Sequence, residues 1–318
     1  MQILGTTIAP GESQVLTLNI ANLPSRTPID IPIQVYRAKK EGPIVLFLAG
    51  MHGDEAGGIE IIRRLIVQKY FKKLTRGTVI AIPILNVYGF INFSRAVPDG
   101  KDVNRSFPGN RAGSLASRVT WHFVHKILPK VDHIMDFHTG GASRSNFPQV
   151  RCVLDGKEND LLAKAIGAPF VINSPLRDKS LRWYATKMGK RVMVYEAGES
   201  LRFSEHAITE GVNGALRFLK HFGMIRQAPA PNEVVVLQRS GWIRAKVAGL
   251  FHPLVESGVF CRKGTVLGLL HGPFGDFTQK IRAREGGYII AVNHMPVVNQ
   301  GDALFHIGYT DKVARKKS

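Results

Sequence analysis

An apolar run that stops at a glycine constrains the fold of this chain more than any other feature. The run from Ile44 to Ala49 predicts a buried strand, and the glycines after it allow the backbone to turn sharply. His52 and Glu55 stand three residues apart in that turn, and an imidazole and a carboxylate at this spacing can converge on one metal ion. The same pair also suits a capped loop with a solvated acid. The choice between a metal site and a capped loop therefore depends on residues elsewhere in the chain.

The residues around this run predict an α/β architecture. Apolar residues recur at helical spacing from Ile59 to Lys73, and a second apolar run from Val79 to Leu85 predicts another buried strand. Strand, helix and strand in this order form the unit of a mostly parallel sheet, in which ligands gather beyond the carboxyl ends of the strands. Residues 1–43 predict two antiparallel edge strands, because Pro32 cannot donate a hydrogen bond to a neighbouring strand.

Two later strands end in residues of the same chemical kind. The stretch 131–141 predicts a strand that reaches His138 and then glycines, and 191–198 predicts a strand with Glu196 near its carboxyl end. His138 is the candidate third metal ligand, and Glu196 is the candidate base that takes a proton from water. Asp136 either supports His138 from outside the metal or is solvated, and Glu196 taken alone would also suit a salt bridge.

A long polar loop lies between these strands, at residues 86–109. Its polar groups are set among glycine, proline and aromatic residues with little periodicity. Loops of this length inside a compact domain usually have a function. Arg105 stands out, because a planar guanidinium can hold a carboxylate through two parallel hydrogen bonds. The alternative is an ordinary surface arginine beside a turn.

The composition is typical of a globular protein with a full core. Hydrophobic residues make up 44% and charged residues 21% of the 318 positions. No apolar run is long enough to cross a membrane, and Cys152 and Cys261 lack the spacing of a disulfide framework, so we expect a cytoplasmic protein. The formal net charge of +19 is scattered along the chain, which favours attraction of small anionic substrates over specific nucleic-acid binding. Homo-oligomerisation is left open.

The last third of the chain changes character at a short Ala/Pro linker, residues 227–233. We therefore predict a first domain at 1–226 and an all-β domain at 234–311. Stretches 260–268 and 297–305 predict two copies of one hairpin, as in a small barrel or sandwich that resembles the biotinyl/lipoyl type. Lys280 lacks the context of a carrier lysine, so a structural or gating role is expected for this domain.

Four motifs, taken in order, resemble the succinylglutamate desuccinylase/aspartoacylase family. They are G-M-H-G-D-E at 50–55, D-V-N-R-S-F at 102–107, D-F-H-T-G-G at 136–141 and Y-E-A-G at 195–198. The family is a deacylase branch of the zinc carboxypeptidase fold, and the likeness covers most of residues 30–225. It implies an α/β fold with a mostly parallel or mixed sheet flanked by helices, followed by a C-terminal all-β barrel-sandwich domain.

The resemblance also implies a cofactor and a reaction. One zinc ion per chain is expected to be held by His52, Glu55 and His138. Glu196 is expected to act as general base and then as proton donor. The implied reaction is hydrolysis of the amide bond of an N-acyl amino acid or a related small anionic amide.

Substrate contacts are implied for three further residues. Asn104 and Arg105 are expected to grip a substrate carboxylate. Arg95 is expected to polarise the scissile carbonyl and to stabilise the oxyanion that forms from it.

Several points stay open at this level. A further substrate-binding arginine is either Arg182 or Arg191, and Tyr288 of the second domain is available to the site. The acyl group, and the choice of zinc over another divalent ion, are not defined by the sequence. A zinc carboxypeptidase acting on peptide C-termini would use the same residues. A non-catalytic basic binding protein on a hydrolase scaffold is the alternative from a different class.

Overall fold

A computed structural model describes residues 1–23, 25–155 and 157–310 of the chain. Its largest feature is a mixed sheet of 13 strands, with helices on both sides of the part that precedes residue 227. The strands before residue 227 are β1 (Gln2–Ile3), β2 (Thr6–Thr7), β3 (Ser13–Asn22), β4 (Pro28–Arg37), β5 (Ile44–Leu48), β6 (Thr78–Ile82), β7 (His133–Gly140), β8 (Arg144–Cys152), β9 (Phe170–Asn173) and β10 (Arg191–Glu199). The later strands are β11 (Val235–Leu237), β12 (Arg239–Arg244), β13 (Gly249–Pro253), β14 (Phe260–Cys261), β15 (Val266–His271), β16 (Thr278–Arg282), β17 (Gly287–Asn293), β18 (Val297–Val298) and β19 (Ala303–Tyr309).

The helices of the described residues all precede residue 227. The α-helices are α1 (Ala56–Val67), α2 (Val87–Ile91), α3 (Leu115–Lys126), α4 (Glu158–Ile166), α5 (Leu181–Lys187) and α6 (Glu205–His221), and short 3-10 helices span Tyr70–Lys73, Val103–Arg105 and Leu128–Lys130. The helix predicted from Ile59 to Lys73 is therefore an α-helix that begins earlier, followed by a separate 3-10 turn. Lys69 separates the two with a left-handed backbone (φ 57°), which an α-helix cannot continue through.

The large sheet is mixed, which confirms the α/β prediction at this level. Its main path runs β12, β19, β17, β8, β10, β7, β5, β6, β4, β3. Strands β10, β7, β5 and β6 are mutually parallel, whereas β8 runs antiparallel to β10 and β4 runs antiparallel to β6. The carboxyl ends of β5, β7 and β10 consequently meet at one edge of the sheet, which is where ligands collect in such folds.

Side-chain alternation divides the first half of the molecule into two cores. Met135 and Phe137 of β7 belong to the core that includes buried residues of α1, α4 and α6, whereas Ile134 belongs to the core that includes residues of α3 and α5. Because side chains alternate along a strand, Asp136 and His138 share the face of Ile134. The polar end of β7 therefore opens on the α3/α5 side of the sheet.

The prediction of two edge strands in residues 1–43 is half wrong. Strand β3 is at the edge, but β4 lies between β3 and β6. Pro32 is nevertheless tolerated in β4, because the ladder to β6 covers only Gln34 to Arg37 and does not need a donor at position 32.

The C-terminal part is built from strands only, within the described residues 234–310. Strands β16, β15, β13 and β18 form a second sheet, and an apolar cluster that includes Leu267, Leu304 and Phe305 packs inside this part. Strands β12, β14, β17 and β19 instead join the large sheet, and β17 pairs with β8. The division at 227–233 stays a prediction, and residue 311 lies outside the described residues.

The predicted pair of hairpins is wrong in its pairing. In each copy the two strands flank a turn with a positive-φ glycine, Gly264 or Gly301, but they do not pair with each other. Strand β14 pairs with β17 in the large sheet and β15 with β13 in the small one, and β18 and β19 make the same crossing in the opposite direction. The repeat is a strand, turn and strand that connects the two sheets.

Candidate metal centre and active site

The turn after β5 delivers two ligand-type side chains to one point. Gly50 adopts a positive φ of 59°, and Gly53 packs so closely on α2 that a Cβ there would lie 1.9 Å from the carbonyl carbon of Gly89. The sharp turn places His52 beside the start of α1. Glu55 occupies the residue before α1 without a side-chain bond to the helix backbone, so its carboxylate is available to His52.

His52, Glu55 and His138, the three predicted metal ligands, lie together in the structure. His52 Nδ1 lies 2.7 Å from Glu55 Oε1, and His138 Nδ1 lies 2.8 Å from Glu55 Oε2. All three side chains are buried, and their ligand atoms lie within 4.8 Å of one another. The two imidazoles therefore present the same nitrogen, Nδ1, to a shared carboxylate.

The opposite nitrogen of each imidazole meets a second carboxylate. His52 Nε2 lies 3.2 Å from Asp102 Oδ1, and His138 Nε2 lies 2.9 Å from Asp136 Oδ2. Carboxylates in this position fix the tautomer and the orientation of metal-binding histidines and raise their basicity. Of the two predictions for Asp136, support of His138 and exposure to solvent, the structure agrees with the first. The contact of Asp102 with His52 had no signal in the sequence.

The electrostatics of the cluster favour a cation. Burial opposes the charge on Glu55, but His52 and His138 outweigh it and hold the pKa of the Glu55 carboxyl well below its usual range. Burial likewise opposes protonation of His138, but Asp136 and Glu55 raise the pKa of its imidazole well above the usual value. The pKa of His52 is also raised against burial, by Glu55 and Asp102. The buried anions make positive charge between them favourable.

The donor chemistry of this cluster fits zinc. Two imidazole nitrogens and one carboxylate form the protein ligand set of several catalytic zinc sites, which keep the fourth position for water or substrate. His52 Nδ1 and His138 Nδ1 lie within hydrogen-bond distance of Glu55, and each must give up any proton it carries before it can bind a metal ion. Residues His52, Glu55 and His138 would hold the ion.

Arg95 lies against the same cluster. Its Nη1 atom is 3.3 Å from Glu55 Oε1 and 3.3 Å from His52 Nδ1, and its Nη2 atom is 3.0 Å from Asp102 Oδ2. About 43% of the side chain is exposed, so the guanidinium also faces the solvent side of the cluster. Arg95 is therefore brought into contact with the predicted metal ligands.

Asn104 and Arg105 lie in the 3-10 turn that follows Asp102. The turn begins with the Asp102 carboxylate, whose Oδ1 accepts a hydrogen bond of 2.7 Å from the Asn104 backbone N–H. Asn104 Oδ1 in turn accepts from the Leu181 backbone N–H at the start of α5, 2.9 Å away. Arg105 is partly buried, and burial lowers its pKa. The two residues are thus anchored to the loop that supports His52.

Glu196 lies on the strand next to the metal cluster. It is opposite His138 in the parallel pairing of β10 with β7, so adjacent strands about 4.8 Å apart carry the two side chains. Glu196 Oε2 accepts a hydrogen bond of 2.7 Å from Asn146 Nδ2 and lies 3.4 Å from Arg151 Nη2. Asn146 and Arg151 belong to β8, and no local motif in the sequence pointed to them.

The remaining open residues fall in different places. Arg191 lies at the amino end of β10, five residues before Glu196, and forms an ion pair with Glu158. Arg182 donates to the Ser174 carbonyl at 2.8 Å. The charges of Arg151 and Glu196 act on its guanidinium, so Arg182 is the better candidate of the two arginines for a place beside Glu196. Tyr288 packs edge-on against Phe170, with ring centroids 5.4 Å apart, in an aromatic cluster between the two parts of the chain.

One known protein family matches the part of the chain that contains these site residues. The family model of the succinylglutamate desuccinylase/aspartoacylase catalytic domain matches residues 41–222. The chain is 27% identical over 293 residues to N-alpha-acetyl-L-2,4-diaminobutyric acid deacetylase from Halomonas elongata, covering 86% of this chain and 84% of that protein. The family suggested by the four motifs is therefore confirmed.

Solved structures agree with the fold over nearly the whole chain. The product-bound structure of the ectoine utilization protein EutE (DoeB) from Ruegeria pomeroyi has a TM-score of 0.84 and 25% identity, covering 94% of this chain and 95% of that one. A succinylglutamate desuccinylase/aspartoacylase from Rhodobacter sphaeroides has a TM-score of 0.82 and 25% identity over the same shares of the two chains. The likeness therefore includes the C-terminal strands as well as the matched catalytic domain.

Proposed function

Because the chain belongs to the succinylglutamate desuccinylase/aspartoacylase family, we propose that it is a zinc-dependent amidohydrolase that removes the acyl group from an N-acyl amino acid. The deacetylase from Halomonas elongata supports an acylated amino acid as substrate, since its name gives it that activity. Small anionic acylated amino acids are therefore the substrate class that we infer for this chain.

One observation carries the proposal. The buried cluster of His52, Glu55 and His138 stands in register with Glu196 on the adjacent strand. A metal ligand set and a carboxylate beside it are the parts that hydrolysis of an amide requires. Burial of charged groups is costly even when they are paired, and a protein that only binds anions at its surface gains nothing from it.

The chemistry divides between the bound ion and the protein. Zinc, when held by the cluster, polarises the scissile carbonyl and lowers the pKa of water toward about 7. Glu196 takes a proton from the attacking water and later gives it to the nitrogen of the leaving amine, as the C–N bond breaks. The products are the free carboxylic acid and the amino acid with its amine restored.

The arginines and Asn104 are proposed to hold the substrate. Arg95 faces the metal cluster with a fixed positive charge, which suits stabilisation of the oxyanion that develops on the substrate carbonyl. Arg105 and the side-chain amide of Asn104 offer donors to the substrate carboxylate, and a bidentate contact with the guanidinium would fix its orientation.

We also propose that residues 1–226 form the hydrolase domain and that residues 234–311 form a C-terminal β domain. Three observations support this division. The family match ends at residue 222, before the linker 227–233. All the proposed ligands and substrate contacts precede that linker, while the strands after it have an apolar core of their own.

Hydrolysis of acylated amino acids tests the proposal. Zinc-loaded protein would be incubated with N-acetyl, N-succinyl and N-formyl amino acids and with short peptides, and the free amine would be measured. We expect release from at least one acylated amino acid, loss of release after chelation, and recovery when zinc is restored. Release from peptides alone would replace the proposal with a carboxypeptidase, and release that persists without metal would exclude the zinc mechanism.

A further inference from the structure

Among the contacts of the described residues, the carboxylate of Glu196 is held through one of its two oxygens, Oε2. The hydrogen bond from Asn146 Nδ2, at 2.7 Å, and the approach of Arg151 Nη2, at 3.4 Å, both go to Oε2. A hydrogen bond to a carboxylate is stronger than one between neutral groups and has a defined direction. The Asn146 contact therefore fixes the plane and position of the Glu196 carboxylate.

Asn146 is itself fixed from two sides. It is only 7% exposed, and strand β8, which carries it, lies between β10 and β17. Asn146 is opposite Gly198 of β10 on one side and opposite Ala291 of β17 on the other. A buried residue paired with strands on both sides cannot change its position without disturbing the sheet, so its side-chain amide is a rigid donor.

The pairing of β8 with β10 is shifted at the level of Glu196. The ladder pairs Gln149 with Glu196 and then Asn146 with Gly198, with a register shift between them. Irregularities of this kind redirect side chains and are frequent beside active sites. The shift accompanies the contact between Asn146 and Glu196, which are not opposite each other in the ladder.

We propose that Asn146 is a positioning residue that holds Glu196 by Oε2 and thereby leaves Oε1 as the oxygen that transfers the proton. The inference rests on the proposed role of Glu196 as general base. It also gives the C-terminal strands a function in the reaction, because β17 secures the strand that carries Asn146. Arg151 adds positive charge at the same oxygen but is partly exposed and lies farther away.

The consequence is a separation of tasks between the two carboxylate oxygens. A general base must lie within hydrogen-bond reach of the proton it takes, and small displacements of catalytic groups cost large factors in rate. When Oε2 is anchored, the orientation of Oε1 is fixed before the substrate binds, so substrate binding does not have to order the Glu196 side chain. Loss of the anchor should therefore lower kcat and leave KM and metal binding nearly unchanged.

Kinetics of three variants test this role. Asn146→Ala removes the donor, and Asn146→Asp keeps the shape while replacing the donor with a carboxylate. Asn293→Ala is the matched control, because Asn293 is equally buried at the β8–β17 boundary but donates to the Ala303 carbonyl at 3.0 Å, away from Glu196. We expect a fall of about 10- to 100-fold in kcat for both Asn146 variants, with KM within about twofold and the zinc content unchanged. The control should lose thermal stability and keep its kcat.

A double variant separates positioning from a general structural effect. In the Glu196→Gln background, Asn146→Ala should cause no further loss of the residual rate, because Asn146 acts through Glu196. An additional loss as large as that in the wild-type background would overturn the proposal. So would a kcat for Asn146→Ala within about twofold of the wild-type value.

Crystal structures provide a test that does not depend on activity. In zinc-loaded Asn146→Ala, or in Asn146→Asp if the first variant does not fold, the Glu196 carboxylate should shift or occupy more than one conformer. The side chains of His52, Glu55 and His138 should not move. A Glu196 carboxylate that stays in its wild-type position overturns the inference even if the wild type hydrolyses none of the compounds in the panel. Conversely, a displaced Glu196 in a protein with no hydrolase activity would count against the proposed function alone.

Discussion

The central parallel strands and the C-terminal strands of the same sheet bury histidines in opposite surroundings. His138 on β7 is 6% exposed and His306 on β19 is 5% exposed, so the two are buried alike. Both ring nitrogens of His138 meet carboxylates, those of Glu55 and Asp136. These carboxylates raise the pKa of His138 well above its usual value although burial opposes them.

The surroundings of His306 contain no such anion among its described contacts. Its ring stacks on Trp242 with centroids 4.3 Å apart, and its Nε2 lies 2.9 Å from Ser240 Oγ. Burial, and to a smaller extent the charge of Arg151, lower the pKa of His306 to about 3.

The difference shows that burial alone does not make a histidine a ligand. The carboxylates around His138 and His52 make a cation favourable at the carboxyl ends of β5 and β7, whereas the surroundings of His306 keep the imidazole neutral. Substitutions on the two sides of this contrast should therefore affect different properties, namely metal binding and turnover on one side and stability against acid on the other.

Removal of a predicted ligand should have the largest effect. In His138→Asn, we expect turnover to fall by about three orders of magnitude, because several kcal/mol of charge stabilisation are lost with the metal. Zinc content per chain, measured by mass spectrometry of metals, should fall with it. His133→Asn is the control on the same strand, since His133 stacks on Phe222 and lies outside the cluster. Equal zinc content in the two variants would contradict the assignment.

Removal of a supporting carboxylate should have a smaller effect. Asp136→Asn keeps the shape beside His138 Nε2 but removes the charge, so we expect zinc affinity to fall by about 10- to 100-fold. Competition with a chelator measures it. Asp132→Asn is the matched control, because Asp132 Oδ2 accepts a hydrogen bond from the Ile44 backbone N–H at 2.8 Å and does not touch the cluster. An affinity equal to that of the control would show that Asp136 does not support the metal.

Substitution of the proposed carboxylate clamp should affect binding more than the chemical step. Arg105→Lys keeps the charge but loses the planar fork, so KM should rise by about tenfold while kcat stays within about twofold. Steady-state kinetics on the best acylated amino acid measure both. Arg63→Lys, on the exposed side of α1, should change neither value. A fall in kcat with an unchanged KM would instead assign Arg105 to the chemical step.

Substitution of His306 should leave metal binding and turnover unchanged and should be visible only as a change in how stability depends on pH. Since its pKa lies near 3 when folded and at the ordinary 6.5 when unfolded, the unfolded chain binds more protons between these values, and stability falls as the pH is lowered through this window. In metal-free protein, His306→Gln should reduce the loss of unfolding free energy between about pH 6.5 and 4.5 by about 2 kcal/mol. Urea unfolding at several pH values measures this difference. If the free energy of unfolding changed with pH in the same way in both proteins, His306 would not be neutral and buried in the folded state.

The parts of the site that the sequence predicted share a physical origin. His52 follows β5, whereas His138 and Glu196 lie near the carboxyl ends of β7 and β10, and parallel pairing brings these three strand ends to one edge of the sheet. Glu55 is three residues from His52, so its contact is local. These residues could be predicted because a short segment and one rule of sheet topology determine where they lie.

The residues that the sequence did not identify arrive through long-range pairing. Asn146 and Arg151 reach Glu196 because β8 turns back antiparallel beside β10 with a shifted register, which no local pattern encodes. The same limit explains the predicted hairpins at 260–268 and 297–305. Their strand lengths and glycine turns are visible in the sequence, but the partner of each strand is fixed by the packing of two sheets.

The most direct measurement compares zinc-loaded wild-type protein with Glu196→Gln on the N-acyl amino acid that the wild type hydrolyses best. The account predicts that the variant binds one zinc ion per chain, as the wild type does, and that its kcat falls by about 10²- to 10⁴-fold. A variant that keeps both its zinc and a near-normal kcat would contradict the assignment of Glu196 as the general base.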